Sequence, residues 1–438
     1  MAATGRPRLT VAQAVGVGLV GIAIGVICAL LVANFGASEK KIEKPLERLY
    51  SVEDPQFKRS LSLLLGPPML EGNSVETLLN GDQIFPSMLA AIRSAQRSIT
   101  FETYIYWDGD IGAQFASALA ERARAGVKVH VLLDWVGSER LPESQFDAMR
   151  AAGVQIARFH EPHWSHLPRL NNRTHRKLLV IDGVTGFTGG VGIADKWSGN
   201  AQDKDHWRDT HFKARGPVVG QMQAVFNDNW TKATTDVLHG DRYFPPIEAR
   251  STGGAGITAQ VFSSSPTGGA ESMHLMYLLA ITAAQRTIDL ESSYFVPDEL
   301  TVNALVAAMQ RGVKVRIITP GEDIDAAVVR RASRALWGPL LMAGATIAEY
   351  QPTMFHCKVL VVDGLFVSVG STNFDNRSFR LNDEANLNIL DAAFAAEQTR
   401  IFEADLARSR VITFVAWLNR PWRERLVERL ASLIDSQL

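Results

Sequence analysis

Four stretches of this 438-residue chain recur in the same order in its second half, and this recurrence constrains the fold more than any other feature. AQRSITFE at Ala95 to Glu102 returns as AQRTIDLE at Ala284 to Glu291. RAGVKVHVLLD from Arg124 returns as QRGVKVRIITP from Gln310, Ala152-Gly153-Val154 as Ala343-Gly344-Ala345, and THRKLLVIDG from Thr174 as FHCKVLVVDG from Phe355. The separations drift slightly from pair to pair, as loop insertions and deletions between fixed elements produce. The pattern reads as apolar-periodic helix, then β-branched strand, with a glycine closing the helix between. Such alternation predicts a duplicated α/β unit, each copy with a mostly parallel sheet sandwiched by helices.

Ahead of the repeats, Val11 to Phe35 carries no charge and is long enough to cross about 30 Å of hydrocarbon as a helix. We read it as a membrane anchor. A cleaved signal peptide is the rival, but the apolar stretch exceeds a usual signal core and no sharp small-x-small site follows it. Arg6 and Arg8 precede the segment, whereas Lys40, Lys41, Lys44 and Arg48 follow it, so counting Lys and Arg alone leans toward a cytoplasmic catalytic portion. The expected organisation is a tail at 1–10, the anchor at 11–35, a linker at 36–75, copy one at 76–245, a linker at 246–265 and copy two at 266–438. Ile257 to Phe262, inside the Gly-, Ser- and Pro-rich linker region, reads as the first strand of copy two. After Pro421, the spacing of Leu426, Val427, Leu430, Leu433 and Ile434 against Arg423, Arg425 and Arg429 predicts an amphipathic helix packed on copy two, with contact to a membrane surface as the alternative.

Net charge is −1, so no global positive excess exists to hold a nucleic-acid backbone. Two cysteines, Cys28 and Cys357, are too few for a disulfide framework or a cysteine-based zinc site.

The chemistry concentrates where a His, one residue and a Lys open a β run that an Asp closes: His175, Lys177 and Asp182, then His356, Lys358 and Asp363. Residues two apart on a strand share a face, so each His and Lys project together while Arg176 and Cys357 point away. Each Asp, of opposite parity, is given a turn and framework role. One such triplet on a strand is ordinary; two brought to one interface supply a nucleophile, an acid and two cations for a phosphodiester.

These motifs resemble the signature of the phospholipase D superfamily, HxKx4D followed by GSxN. Copy two fits throughout, with Gly370, Ser371 and Asn373; copy one has Gly189 but places Gly190 and Gly192 where Ser and Asn are usual. The hydrogen bonds of that Ser and Asn must come from elsewhere in copy one. FETYIY at Phe101, NNRTHRK at Asn171, GIADKW at Gly192, HWRDTHF at His206, SSYFVPD at Ser292 and NFDNRSFRLNDEANL at Asn373 bring the resemblance closest to bacterial cardiolipin synthases.

The resemblance implies two tandem phospholipase D-like α/β/α domains after a transmembrane helix, His175 as nucleophile, His356 as acid, Ser371 and Asn373 on the substrate phosphate, and no metal or other cofactor. It also implies an orienting carboxylate about thirty residues after each His, for which Asp209 and Glu384 are the candidates, each expected to serve the His of its own copy. Glu102 and Glu291, closing matching strands, read equally as cleft residues or buried structural carboxylates. His160, His163 and His166 read as loop or cleft residues, since their spacing lacks a full zinc ligand set. The expected partners are a phospholipid, with phosphatidylglycerol foremost, and the membrane, not nucleic acid. The expected reaction joins two phosphatidylglycerols into cardiolipin and glycerol. Head-group hydrolysis is the alternative, with a nuclease or a non-catalytic scaffold behind it.

Overall fold

A computed structural model describes residues 10–35, 42–161, 171–246, 256–266 and 272–433. Val11–Phe35 forms one helix, and its segment Val11–Leu30 is long and apolar enough to cross a membrane.

Copy one contributes strands β1 (Leu70–Leu79), β2 (Ser98–Thr103), β3 (Lys128–Asp134), β4 (Gln155–Phe159), β5 (Arg173–Thr174), β6 (Leu178–Ile181), β7 (Thr185–Gly189) and β8 (Thr210–Arg215). Copy two contributes β9 (Ile257–Ser264), β10 (Thr287–Ser292), β11 (Phe295–Val296), β12 (Lys314–Pro320), β13 (Thr346–Tyr350), β14 (Lys358–Val362), β15 (Phe366–Gly370), β16 (Phe374–Asp375), β17 (Asn382–Leu390) and β18 (Ser409–Ile412). The strand order is β18-β13-β12-β10-β14-β15-β17-β9-β1-β8-β7-β6-β2-β3-β4, so the duplication runs outward in mirror order from the β1–β9 seam.

Two expectations are corrected here. The copies do not carry separate sheets; antiparallel pairing of β1 with β9 joins them edge to edge. Nor is the sheet mostly parallel. Among the described residues, parallel pairing between strands occurs in β2-β3-β4 and β10-β12-β13, where helices make the crossovers, and in two short pairs. Both HxK strands instead turn back through tight hairpins, β6–β7 and β14–β15, and antiparallel strands fill the middle.

Alternation along the HxK strands divides three cores. Leu179 and Ile181 enter the copy-one core, Leu360 and Val362 the copy-two core, and Leu178, Val180, Val359 and Val361 a core shared by both. The aspartates at the hairpins explain why two sequence echoes travel together. Asp182 and Asp363 adopt φ of 54° and 53°, and each carboxylate accepts three backbone amides from the AQR turn of its own copy. They fix the hairpin to the neighbouring strand and stand away from the cavity described below.

The stretch 36–75, expected as a linker, contains a helix at Pro55–Leu65 capped by Asp54. Its residues Phe57, Leu61 and Leu65 recur every four positions and are buried in the copy-two core, each contributing about 1.5–3 kcal/mol of apolar burial. The C-terminal helix, Trp422–Ser432, does pack on copy two, but through buried Glu428 and Ala431. Glu428 binds Arg334 at 2.9 Å and Arg420 at 2.6 Å. The apolar positions Leu426, Val427, Leu430 and Leu433 remain exposed, and Ile434 lies outside the described residues.

Candidate active site

Backbone pairing decides which carboxylate meets which histidine. β5, just before His175, pairs in parallel with the start of β17, and the His175 amide donates to the Asp383 carbonyl at 2.8 Å. Reciprocally, Arg208 bridges Phe355, and the His356 amide donates to the Arg208 carbonyl at 2.7 Å. Each HxK segment therefore lies beside the carboxylate-bearing segment of the other copy. His175 Nδ1 meets Glu384 Oε1 at 2.9 Å, and His356 Nδ1 meets Asp209 Oδ2 at 2.8 Å. The expectation that each carboxylate serves its own copy is overturned: separation along the chain carries no information about a strand exchanged between copies.

With Nδ1 of each ring on a carboxylate, Nε2 of His175 is left for chemistry, while Nε2 of His356 also meets Lys358 Nζ at 3.4 Å. His175 and His356 line one cavity of about 170 Å³ together with Lys177, Tyr104, Trp107, Trp197, Trp207, Tyr294, Asp325 and Asn373. Tyr104 meets the His175 ring edge-on at 5.3 Å, and Trp197 meets the His356 ring at 5.3 Å, so both imidazoles are held by packing as well as by hydrogen bonds. The lysines are placed alike: Lys177 Nζ donates to the His175 carbonyl at 2.9 Å and Lys358 Nζ to the His356 carbonyl at 2.8 Å, with a further bond to Ser293 Oγ.

Burial drives the electrostatics. It pushes His175 down to about 4 against the pull of Glu384, and His356 down to about 3, helped by Lys358 and opposed by Asp209. Both rings are thus neutral near pH 7. Lys177 is pushed down to about 7 by burial and by its neighbour Lys358, which is itself lowered by burial. Burial alone raises Glu384 and Asp209, yet the imidazole each one faces and the lysines hold both below their ordinary values. Lys177 and the two histidines share the cavity wall with Asp325 and Asp375.

The copies differ in how the orienting carboxylate is held. Ser371 Oγ donates to Glu384 Oε2 at 2.5 Å and is fully buried, so the phosphate contact expected of it is replaced by a contact to the carboxylate. Asn373 does line the cavity, and its Oδ1 has no partner among the described residues. In copy one the corresponding bond comes from Trp197, whose indole Nε1 donates to Asp209 Oδ2 at 2.8 Å. Gly190 is then required on steric grounds, because a Cβ there would lie 2.1 Å from Asp209 Oδ1.

The residues facing away from the cavity tie the copies together. Arg176, fully buried, donates to the carbonyls of Val225, Ser264 and Glu384. Cys357 is buried beside the Arg208 carbonyl, and Arg208 reaches across to Asp405 at 2.7 Å. Glu102 and Glu291 are structural carboxylates outside the cavity. Glu102 accepts from Thr174 Oγ1 and from Asn229 at 2.8 Å, and burial lifts it to about 7; burial also raises Glu291. His160 stacks on Phe159 at 4.1 Å, while His163 and His166 lie outside the described residues.

Several cavity residues escaped the reading of the sequence. Tyr104, Trp197, Trp207, Arg173 and Arg377 stood inside motifs already noticed, but nothing in the letters aimed them at the histidines. Asp325, whose carboxylate accepts from Tyr294 Oη at 2.9 Å, belongs to no motif and is brought in by the fold alone.

A family model described as "Cardiolipin synthase, PLD-like domain" matches residues 88–230 and 277–406. Cardiolipin synthase A of Pseudomonas fluorescens Pf-5 is 36% identical over 379 residues, covering 86% of this chain and 78% of that protein. A cardiolipin synthase of Geobacillus kaustophilus is 36% identical over 372 residues, covering 85% and 74%. Among solved structures, phosphatidylserine synthase of Haemophilus influenzae superposes with a TM-score of 0.65 at 15% identity, covering 87% of this chain and all of that one, a likeness of fold.

Proposed function

Since the chain belongs to the cardiolipin synthase family with phospholipase D-like domains, we propose that it transfers a phosphatidyl group between two phosphatidylglycerols, giving cardiolipin and glycerol. The observation that carries this reading is the crossed arrangement: two imidazoles from different copies line one cavity, each held at Nδ1 by a carboxylate of the opposite copy.

His175 is the nucleophile. Its neutral ring attacks phosphorus through Nε2, and Glu384 stabilises the positive charge that grows on the imidazole. His356, backed by Asp209, protonates the departing glycerol oxygen. Its value of about 3 is set by burial and Lys358, and an anionic diester beside that lysine offsets the repulsion and favours the imidazolium. Lys177 and Lys358 stabilise the nonbridging oxygens in a largely water-excluded site. In the second half, the primary hydroxyl of the acceptor attacks the phosphatidyl-histidine; the P–N bond breaks and the hydroxyl proton passes to His356. The apolar segment Val11–Leu30 confines this site to a bilayer surface, and the Lys and Arg that follow it favour the cytoplasmic side.

The test is incubation of purified protein with labelled phosphatidylglycerol vesicles. Cardiolipin and free glycerol in equal amounts are expected; phosphatidic acid as the sole lipid product would make the chain a hydrolase instead.

A further inference from the structure

The last helix, Trp422–Ser432, presents its charge and its apolar residues the wrong way round for an element that only packs on protein. Its acidic residues turn inward: Glu424 and Glu428 reach Arg334 at 3.8 and 2.9 Å, and Ala431 joins Val296, Val329 and Ala332 in a small buried cluster. On the opposite side stand Trp422, Leu426, Leu430 and the capping residue Leu433, spaced as one stripe of a helix with about 3.6 residues per turn. They are between 51% and 77% exposed, so the stripe is an open apolar surface. By the same periodicity Arg425 and Arg429 border it on one edge and Arg423 on the other. All three are exposed and form no ion pair among the described residues.

A second copy of the chain and a lipid bilayer could each cover such a stripe. Two copies related by a two-fold axis would set the stripe against itself and therefore arginine against arginine, with both acidic residues turned away. An anionic bilayer receives both features, because the apolar side chains enter the acyl boundary and the guanidiniums meet lipid phosphates. The position of the helix favours the same occupant. Tyr294 and Ala326 pack on the cluster to which Ala431 belongs, and Tyr294 and Asp325 line the cavity of the two histidines. The helix is thus seated beside one wall of that cavity, where a phospholipid leaving the bilayer would have to arrive. The apolar segment Val11–Leu30 already confines the chain to a membrane, so even weak docking of a second element is effective.

We propose that the outward face of the C-terminal helix docks on an anionic bilayer surface and holds the cavity of His175 and His356 against the lipid that supplies its substrate. This rests on the phospholipid reading above, and is the same whether transfer or hydrolysis follows.

The test reads the helix and the turnover separately in the full chain. Leu430→Cys in a Cys28→Ser background carries a nitroxide, while buried Cys357 stays unlabelled. Collisions of the label with oxygen, which concentrates in lipid, and with a water-soluble nickel chelate are compared in phosphatidylcholine vesicles with and without phosphatidylglycerol. The N-terminal segment keeps the chain on both, so the label reports the last helix alone. Phosphatidylglycerol should move the label from chelate-accessible to oxygen-accessible, and Arg425→Gln/Arg429→Gln should reverse the move. A label equally open to the chelate in both vesicles overturns the docking; a label shielded from both colliders gives the stripe to a second copy and overturns it as well. In parallel, Leu426→Ser/Leu430→Ser should lower p-nitrophenolate release from a phosphatidyl donor in vesicles about tenfold, yet leave release from a short-chain donor dissolved as monomers at the wild-type rate. Equal loss on both donors, or loss on neither, overturns the proposed service to the cavity. Wild-type protein that is inert toward both donors while its label enters lipid would instead overturn the phospholipid reading, and leave the docking standing.

Discussion

Replacing Glu384 by Gln tests the exchange of carboxylates between the copies. Glu384 Oε1 accepts from His175 Nδ1 at 2.9 Å and from Asn382 Nδ2 at 3.3 Å, while Oε2 accepts from Ser371 Oγ at 2.5 Å. A Gln amide can keep its oxygen toward His175 and turn its nitrogen toward Ser371, whose hydroxyl can donate instead to the Ala385 carbonyl, 3.3 Å away. The geometry survives and the charge does not. At 2.9 Å and an effective dielectric of about 20, carboxylate and imidazolium attract by about 6 kcal/mol. If the amide dipole restores about a third to a half of that, roughly 3–4 kcal/mol of transition-state stabilisation is lost, or two to three decades in rate. The assay is stopped-flow release of p-nitrophenolate from a p-nitrophenyl phosphatidyl donor, whose leaving group needs no proton. Glu384→Gln should slow the burst to that extent, like His175→Ala in kind, whereas Asp209→Asn should leave the burst largely intact and slow turnover with phosphatidylglycerol. Variants should thus group as His175 with Glu384 and His356 with Asp209. Grouping of His175 with Asp209 would refute the crossed pairing as a functional arrangement, whichever histidine attacks.

The charge on the lysines should shape the pH profile. Lys177 sits at about 7, so its cationic form is lost as pH rises through that value, and kcat/KM for the donor should fall on the alkaline side; Lys177→Arg, which stays charged, should move that limb upward in a pH–rate series. Restoring the family's serine at Gly190 should harm the enzyme, because the new Cβ meets the Asp209 carboxylate at 2.1 Å; Gly190→Ser should lose at least tenfold in turnover, and activity at or above wild type would contradict the packing. Lysine charge at the phosphoryl oxygens makes a divalent ion unnecessary, so EDTA should leave turnover unchanged when cardiolipin formation is followed, and restoration of lost activity by zinc or magnesium would contradict it.

The duplication was legible because its four echoes keep their order along the chain, and the HxK strands and the turn role of Asp182 and Asp363 because each is local: a parity or a hairpin shows within ten residues. The residues at 209 and 384 were also legible as carboxylates near the histidines, but their partners were not. That exchange depends on β5 pairing with β17 and Arg208 with Phe355, contacts between segments about two hundred and about one hundred and fifty residues apart. Trp197 could not be foreseen as the donor to Asp209, since an indole replaces a serine from a different loop. The single sheet escaped notice for a similar reason: nothing in β1 or β9 marks its exposed edge as the one that will pair with the other copy. The apolar stripe of the last helix was misread because Glu428, held by Arg334 and Arg420, replaces it at the interface.

Whether two half-sites make one phosphohistidine centre is answered by mapping the covalent intermediate. His356→Ala protein, mixed with a p-nitrophenyl phosphatidyl donor, quenched and digested under conditions that preserve phosphoramidates, is examined by mass spectrometry. One phosphatidyl group per chain, carried on the peptide containing His175 and missing from His175→Ala protein, is the expected result. An adduct on His356 in His175→Ala protein would exchange the two roles; no adduct on either histidine while p-nitrophenolate is released would contradict the phosphohistidine mechanism altogether.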